Sequence, residues 1–200
     1  MTSIAFAFDL DGTVTRQELL PLIASELGLQ REMRLLTELT LKGAIAFEDS
    51  FRLRCAVLRS IPISTVRDLL AEAPLDDRIA DFIRERPEQC FVVTGNLDVW
   101  VAPLIERLGC GAFTSKAQVE ADALVGVATV LHKSQPIRAL KQRFERVVAI
   151  GESVNDIPMF EVADVGVAYG GVHAPTESLV DVAHYVTYDG EALCRLLNTL

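Results

Sequence analysis

Short apolar runs, each ending abruptly at a polar residue, are the feature of this 200-residue chain that most restricts its fold. Runs without polar alternation are typical of parallel strands buried on both faces. Amphipathic stretches of helical length, such as residues 99–108, lie between them, and residues 125–131 are compatible with one strand of a hairpin. The sequence therefore predicts an α/β protein with a doubly wound, Rossmann-like parallel sheet. The runs cover residues 4–8, 91–93, 147–150 and 165–168.

Residues 16–73 interrupt this alternation, because they contain helical periods and no strand-like run. Pro74 then disfavours helix at the residue before it, which marks a return to the alternating pattern. We therefore predict an α/β core domain of residues 1–15 and 75–200, with an all-helical cap domain of residues 16–74 inserted into it. The helical periods cover residues 19–27, 32–41, 47–58 and 65–73.

Charge and composition exclude several classes of function. The chain carries 19 Lys and Arg against 28 Asp and Glu, a formal net charge of -9, and no basic run, so we expect no nucleic-acid partner. No run of about 18 apolar residues is present, and the first run stops at Asp9 without a basic leader. We therefore expect no membrane insertion and a cytoplasmic location. The 4 cysteines are scattered without a CxxC pair, which indicates reduced thiols rather than zinc ligands or disulfides.

The residues that directly follow the apolar runs carry most of the chemistry. Asp9 and Asp11 follow the first run, and Glu152 and Asp156 follow the third. The carboxyl ends of strands in an open α/β sheet border the ligand crevice, so these carboxylates should face one crevice. Two like charges about 4 Å apart repel by roughly 4 kcal/mol at an effective dielectric constant near 20, so the cluster needs either a cation or shifted protonation. Mg²⁺ suits it, because this ion binds a few carboxylates together with water and substrate phosphate.

Short motifs occur in a fixed order along nearly the whole chain, each after a strand-like run or at the start of a predicted helix. This arrangement resembles the haloacid dehalogenase superfamily of phosphohydrolases. The helical insertion between the first two motifs is similar to the cap of the phosphoserine-phosphatase-like branch of that family. The motifs are Asp9-x-Asp11-Gly12-Thr13, Thr94-Gly95, Lys133 and Gly151-Glu152-x-x-Asn155-Asp156.

The resemblance implies covalent catalysis. Asp9 would attack phosphorus and form an aspartyl-phosphate, which splits one difficult hydrolysis into two easier displacements. Asp11 would protonate the leaving alkoxide and then take a proton from the attacking water. Thr94 and Lys133 would neutralise charge on the transferring phosphoryl group.

The resemblance also implies a bound Mg²⁺ ion. Asp9, the backbone carbonyl of Asp11 and Glu152 would be its ligands, and Asp156 would bind metal-coordinated water. Asn155 would steady Lys133. The substrate contacts implied at this end of the site come from Thr94, Gly95, Lys133 and Asn155.

Two residues of the predicted cap, Glu18 and Arg54, match the positions with which phosphoserine phosphatases hold the amino and carboxylate groups of their substrate. Arg54 falls within an apolar arc of its helix, which fits either anion binding or a side chain that extends along a seam to solvent. Glu18 fits equally well a capping box in which it bonds the backbone of Thr15. Both alternatives are open at this point.

Two positions depart from the family pattern. Glu152 stands where related proteins usually have Asp, and the extra methylene would shift a bound metal. Asn96 stands where the phosphoserine branch usually has Gly, and its side chain would crowd or remodel the pocket floor. Because Glu152 is still a carboxylate, we expect it to bind the metal with adjusted geometry rather than to leave the site inactive. The second departure puts phosphoserine itself in question, but not hydrolysis of a phosphate ester.

We therefore expect a Mg²⁺-dependent hydrolase of a small phosphorylated metabolite, with a phosphoserine-like phosphoamino acid as one candidate substrate. Phosphotransfer to a second alcohol through the same intermediate is one alternative. A low-turnover regulatory module that binds a phosphorylated metabolite is another. Dehalogenation is disfavoured, because it does not need the metal carboxylates Glu152 and Asp156. The sequence is compatible with a monomer or a homodimer.

Overall fold

A seven-stranded sheet forms the centre of the computed structural model, which describes residues 3–41 and 44–200. The strands are β1 (Ile4–Phe8), β2 (Cys90–Leu97), β3 (Gly111–Glu120), β4 (Ala123–Thr129), β5 (Arg146–Gly151), β6 (Val165–Tyr169) and β7 (Tyr185–Thr187). They lie in the order β4-β3-β2-β1-β5-β6-β7, and every neighbouring pair is parallel except the antiparallel hairpin β3–β4. The predicted α/β class with a doubly wound, mainly parallel sheet is confirmed.

Helices cover both faces of the sheet, because the central strands are apolar on both sides. In β1, Phe6 and Phe8 join the hydrophobic cluster on one face, whereas Ala5 and Ala7 join the cluster on the other. The helices are α1 (Leu19–Ile23), α2 (Gln30–Leu41), α3 (Phe47–Leu58), α4 (Ile63–Ala71), α5 (Asp77–Arg84), α6 (Asp98–Leu108), α7 (Ser134–Leu140), α8 (Ile157–Phe160), α9 (Glu177–Val180) and α10 (Gly190–Leu197).

Helices α1 to α4 form a helical insert between β1 and α5, and its described residues contain no strand. The chain leaves and re-enters the α/β part at one point, where Thr15 forms an antiparallel bridge with Leu75. On either side of that bridge, the Arg16 N–H donates to the Pro74 carbonyl and the Asp76 N–H donates to the Val14 carbonyl. Apolar residues of the insert belong to the same cluster as Phe6 and Phe8. The division into a core domain and a cap domain stays a prediction.

The helical insert is tied to the hairpin β3–β4 as well as to the sheet. Asp122, at the turn of the hairpin, accepts hydrogen bonds from the backbone N–H and the hydroxyl of Ser64 at 2.8 and 2.5 Å. Arg52 donates to the Val127 carbonyl at 2.8 Å. These contacts hold the insert over the carboxyl ends of the central strands.

The boundaries of some helices and strands differ from those expected from the sequence. The period at residues 19–27 divides into α1 and a 3-10 turn (Ala24–Leu27) that ends at Gly28, whose φ is +67°. The predicted hairpin strand begins two residues earlier than expected, at Ala123. The strands β3 and β7 were not predicted, because both expose many of their side chains. No helix among residues 3–41 and 44–200 is long and apolar enough to cross a membrane.

Candidate active site

A cavity of about 100 Å³ lies between the strand ends and the helical insert. Almost all of the site residues that were predicted from the sequence line this cavity. Asp156 is the exception, because it is fully buried beneath the cavity wall. The loops at the strand ends contribute Asp9, Asp11, Thr94, Gly95, Asn96, Lys133, Glu152, Ser153 and Asn155, and the insert contributes Glu18, Leu20, Thr37, Thr40, Phe47, Phe51 and Arg54.

The ammonium group of Lys133 joins two of these loops. It donates one hydrogen bond to Asp9 Oδ1 at the end of β1 and another, of 2.7 Å, to Asp156 Oδ1 after β5. All three side chains are less than a tenth exposed. Burial alone would lower the pKa of Lys133, but the two carboxylates outweigh it and raise that pKa above its ordinary value. The lysine is therefore a permanent positive charge beside Asp9.

Asp156 also organises the loop that carries it. Its second oxygen, Oδ2, accepts hydrogen bonds from the backbone N–H groups of Glu152 and Ser153 at 2.9 and 3.0 Å. Asn155 was expected to steady Lys133, but within the described chain the hydrogen bonds of Lys133 go to Asp9 and Asp156. Consecutive side chains of a 3-10 turn point about 120° apart, so only one of the two neighbours can face the lysine.

Asp11 is held at both of its carboxylate oxygens. The backbone N–H of Leu19, the first residue of α1, donates to Oδ1 at 2.8 Å. The side-chain amide of Asn96 donates to Oδ2. Burial, and then the charge of Glu18, raise the pKa of Asp11 to about 7, against these hydrogen bonds. Asp11 can therefore exist in either protonation state near neutral pH, as an acid and base must.

Carboxyl groups outnumber cationic side chains in this site. Burial raises the pKa of Asp9 to about 8; Lys133 opposes this shift, and Asp156 and Asp11 add to it. Burial, followed by repulsion from Glu18 and Asp9, raises the pKa of Glu152 to about 9. In total five carboxylates share the site with two cationic side chains, namely Asp9, Asp11, Glu18, Glu152 and Asp156 with Lys133 and Arg54.

These residues fit a divalent cation. Glu152 Oε2 is buried without a hydrogen-bond partner, which is costly unless another positive group reaches it. Its carboxylate lies against Gly12, where φ is +67° and where a Cβ atom would collide with it. Among residues 3–41 and 44–200, no group of three or more His, Cys, Asp or Glu side chains already surrounds a common metal position. The metal site thus stays a prediction, supported by the orphaned oxygen of Glu152.

The two residues singled out in the insert face the same cavity from the opposite side. Arg54 is 6% exposed, and its guanidinium donates to the Ser50 carbonyl and the Thr37 hydroxyl, both at 3.3 Å. It therefore does not extend to solvent. Burial lowers the pKa of Arg54, and the nearby charges of Asp11 and Glu18 counteract that shift.

Glu18 does not form the capping box. The residue precedes α1 and its side chain caps no backbone N–H, whereas the Thr15 hydroxyl donates to the carbonyls of Leu10 and Gln17. Burial, and then repulsion from Asp9, raise the pKa of Glu18, while Arg54 opposes the shift. Glu18 is thus a partly buried carboxyl that faces the cavity.

Several cavity residues were missed from the sequence. Phe47 and Phe51 are stacked with ring centroids 5.9 Å apart, and they lie seven and three residues before Arg54 on the same helix face. Thr37 and Thr40 lie three residues apart on α2. The helical projection that places Arg54 within an apolar arc groups both rings with it, but apolar rings on a helix face are as typical of a core as of a cavity. The threonines carried no signal of their own, because hydroxyl residues also occur on solvated helix faces.

Comparisons with known proteins agree with this geometry. A haloacid dehalogenase-like hydrolase family model matches residues 6–161, and a second model with the same description matches residues 133–191. Phosphoserine phosphatase from Methanocaldococcus jannaschii is 28% identical over 177 residues, which cover 81% of this chain and 83% of that protein. Phosphoserine phosphatase from Archaeoglobus fulgidus is also 28% identical, over 88% of this chain but 54% of its own length.

Solved structures share the fold. A phospho-aspartyl intermediate analogue of phosphoserine phosphatase superposes with a TM-score of 0.84 at 24% identity, covering 98% of this chain and 99% of that chain. A HAD family hydrolase from Salmonella enterica serovar Typhi superposes with a TM-score of 0.83 at 22% identity, covering 96% and 70% of the two chains.

The raised pKa values predict how stability depends on pH without metal. In EDTA, folded Asp11, Asp9 and Glu152 hold protons up to pH values of about 7, 8 and 9, whereas the unfolded chain releases them near pH 4. The unfolded state thus binds fewer protons, and we expect the melting temperature to fall as the pH rises from 5 to 8. Saturation with Mg²⁺ at about 100 times its Kd would add about 2.7 kcal/mol, or about 5 to 10 °C, at pH 8.

Differential scanning fluorimetry of Glu152→Gln measures the contribution of this carboxylate. The variant should be more stable than wild type in EDTA at pH 8 and should gain less from Mg²⁺. Glu88→Gln is the matched control, since Glu88 is exposed and lies outside the cavity. A melting temperature that rises between pH 5 and 8 in EDTA, or an undiminished Mg²⁺ effect in Glu152→Gln, would contradict this account.

Proposed function

The chain belongs to the haloacid dehalogenase-like hydrolases, and on that premise we propose that it is a Mg²⁺-dependent phosphatase of a small phosphoamino acid. The resemblance that the motifs indicated is confirmed, and the enzyme is a phosphoric monoester hydrolase of this family. The observation that carries the proposed mechanism is the contact of the buried Lys133 ammonium with Asp9. It places a fixed positive charge beside the carboxylate that would attack phosphorus.

The first step transfers the phosphoryl group to Asp9. A carboxylate oxygen of Asp9 bonds to phosphorus while the bond from phosphorus to the ester oxygen breaks, and the departing oxygen takes a proton from Asp11. In the second step water attacks the aspartyl-phosphate, Asp11 takes its proton, and Asp9 is released. Lys133 and Thr94 stabilise the negative charge of the phosphoryl oxygens in both steps.

The carboxylates that face the cavity fit a bound Mg²⁺ ion. Asp9, the backbone carbonyl of Asp11 and Glu152 would hold it directly, and Asp156 would hold it through water. When bound, the ion would polarise the phosphoryl oxygens and offset the excess of negative charge. Glu152 would supply its unpartnered oxygen.

The substrate class follows from the insert side of the cavity. Arg54 is buried and donates to neutral groups, so its guanidinium is available to a carboxylate. Glu18 is a partly buried carboxyl on the same side and suits an ammonium group. A cavity of about 100 Å³ admits a small molecule only. A phosphoserine-like substrate, with phosphate at the strand ends and its amino acid end at the insert, satisfies both halves, and several relatives are phosphoserine phosphatases.

The nucleophile and the metal are tested together by phosphate release from O-phospho-L-serine and p-nitrophenyl phosphate. Asp9→Asn should lower kcat by at least about 1,000-fold for both esters, because the amide cannot attack phosphorus. EDTA should abolish turnover, and excess Mg²⁺ should restore it. The matched control is Asp68→Asn, an exposed position outside the cavity, which should behave as wild type. Turnover that survives Asp9→Asn would contradict the covalent mechanism.

The substrate assignment is tested at Arg54. Arg54→Ala should raise KM for O-phospho-L-serine by about 10- to 100-fold, since a hydrogen bond to a charged group contributes about 1.5 to 3 kcal/mol. KM for p-nitrophenyl phosphate, which has no carboxylate, should change less than about 3-fold. Arg59→Ala, at the exposed end of α3, is the control. Equal losses with both esters would contradict a role in carboxylate binding.

A further inference from the structure

Asn96 lies in a bulge of β2 beside the site. The pairing of β2 with β3 shifts between Thr94 and Leu97, which leaves Gly95 and Asn96 outside the regular register. The Ser115 hydroxyl fixes this bulge by donating to the Gly95 carbonyl at 2.6 Å. Bulges commonly re-aim a side chain next to an active site. Here the bulge turns Asn96 into the cavity, where it is 5% exposed.

The amide of Asn96 connects two groups of the proposed mechanism. Its Nδ2 donates to Asp11 Oδ2 and approaches the Thr94 hydroxyl at 3.3 Å, and its backbone N–H donates to the same hydroxyl at 3.2 Å. Asn96 thus links the residue expected to exchange protons with the residue expected to bind the phosphoryl group. Its neutral amide provides these donors without adding charge to a site crowded with carboxylates.

The two donors to Asp11 come from different parts of the molecule. The Leu19 N–H belongs to the helical insert, whereas the Asn96 amide belongs to the sheet. The terminal torsion of an Asp side chain is broad and only weakly selected by itself, so its carboxylate needs external hydrogen bonds to keep one orientation. Each carboxylate oxygen of Asp11 has two lone pairs and accepts one of these hydrogen bonds. The other lone pair is free to hold the proton that the leaving group needs.

We propose that Asn96 is a positioning residue, which fixes the carboxylate of Asp11 in the orientation that protonates the leaving group. This inference rests on the proposed phosphatase function. As the phosphorus–oxygen bond of the ester breaks, its electron pair stays on the leaving oxygen and the Asp11 proton moves there. An alkoxide needs that proton, whereas p-nitrophenolate is a stable anion and leaves without it. Loss of Asn96 should therefore harm alkyl esters selectively.

The test compares kcat/KM, which reports steps up to phosphoryl transfer, for O-phospho-L-serine and p-nitrophenyl phosphate. Asn96→Ala should lower the value for the alkyl ester by about 10- to 100-fold and that for the aryl ester by less than about 3-fold. Asn96→Leu, which is close in size and lacks the amide donor without adding a charge, should show the same selectivity. Asn198→Ala, at an exposed Asn outside the cavity, is the control and should change neither value. Melting temperatures of all variants show whether the fold is retained.

Equal losses for both esters in Asn96→Ala would overturn the inference, because they would indicate a general effect on the cavity. Wild-type kcat/KM for the alkyl ester in Asn96→Leu would overturn it as well, since filling the space alone would then suffice. A failure of the proposed phosphatase function would give a different result from a failure of this inference. In that case wild type itself would release phosphate from neither ester.

Discussion

The contact of the Lys133 ammonium with Asp9 and Asp156 is the interaction on which the rest of the site depends. It joins the ends of β1 and β5, which are neighbours in the sheet, through a lysine at the start of α7. A buried charge that loses its partner typically costs 3 to 5 kcal/mol, roughly, so none of the three groups can be removed without consequence for the others. The sheet therefore brings the proposed nucleophile Asp9 and the positive charge of Lys133 together without any ligand.

The cavity beside these three groups has two ends, which are lined by different kinds of side chain. The strand ends carry most of the carboxylates and the orphaned oxygen of Glu152, which suit a metal ion and a phosphoryl group. The insert contributes Arg54, a buried cation without a carboxylate in hydrogen-bond contact among the residues described. A substrate with a phosphate at one end and a carboxylate at the other complements both ends. Asn96 belongs to the strand ends, where the bulge in β2 turns it into the cavity.

Much of this could be predicted from sequence, because apolar runs identify buried strands and the residues after them face one crevice. The runs at β1, β2, β5 and β6 show this, as does the helical insert. The strands β3 and β7, which expose many of their side chains, lack that pattern. The bond from Asn96 to Asp11 joins residues 85 apart through a bulge, and no local periodicity encodes it. Lys133 bonds Asp156 rather than Asn155, because the short 3-10 turn points the Asp156 side chain toward the lysine. The direction of each side chain in so short a turn cannot be read from the sequence.

The central claim is that Asp9, held beside Lys133, becomes phosphorylated during turnover. Borohydride reduces an acyl phosphate of aspartate to homoserine, so the intermediate can be recorded chemically. We would quench the enzyme during turnover of O-phospho-L-serine with Mg²⁺, reduce it with borohydride and locate homoserine by peptide mass spectrometry. The account predicts homoserine at position 9 in place of the aspartate, and only in samples that received substrate. Modification of another carboxylate, or an unmodified Asp9 in an enzyme that is turning over, would contradict it.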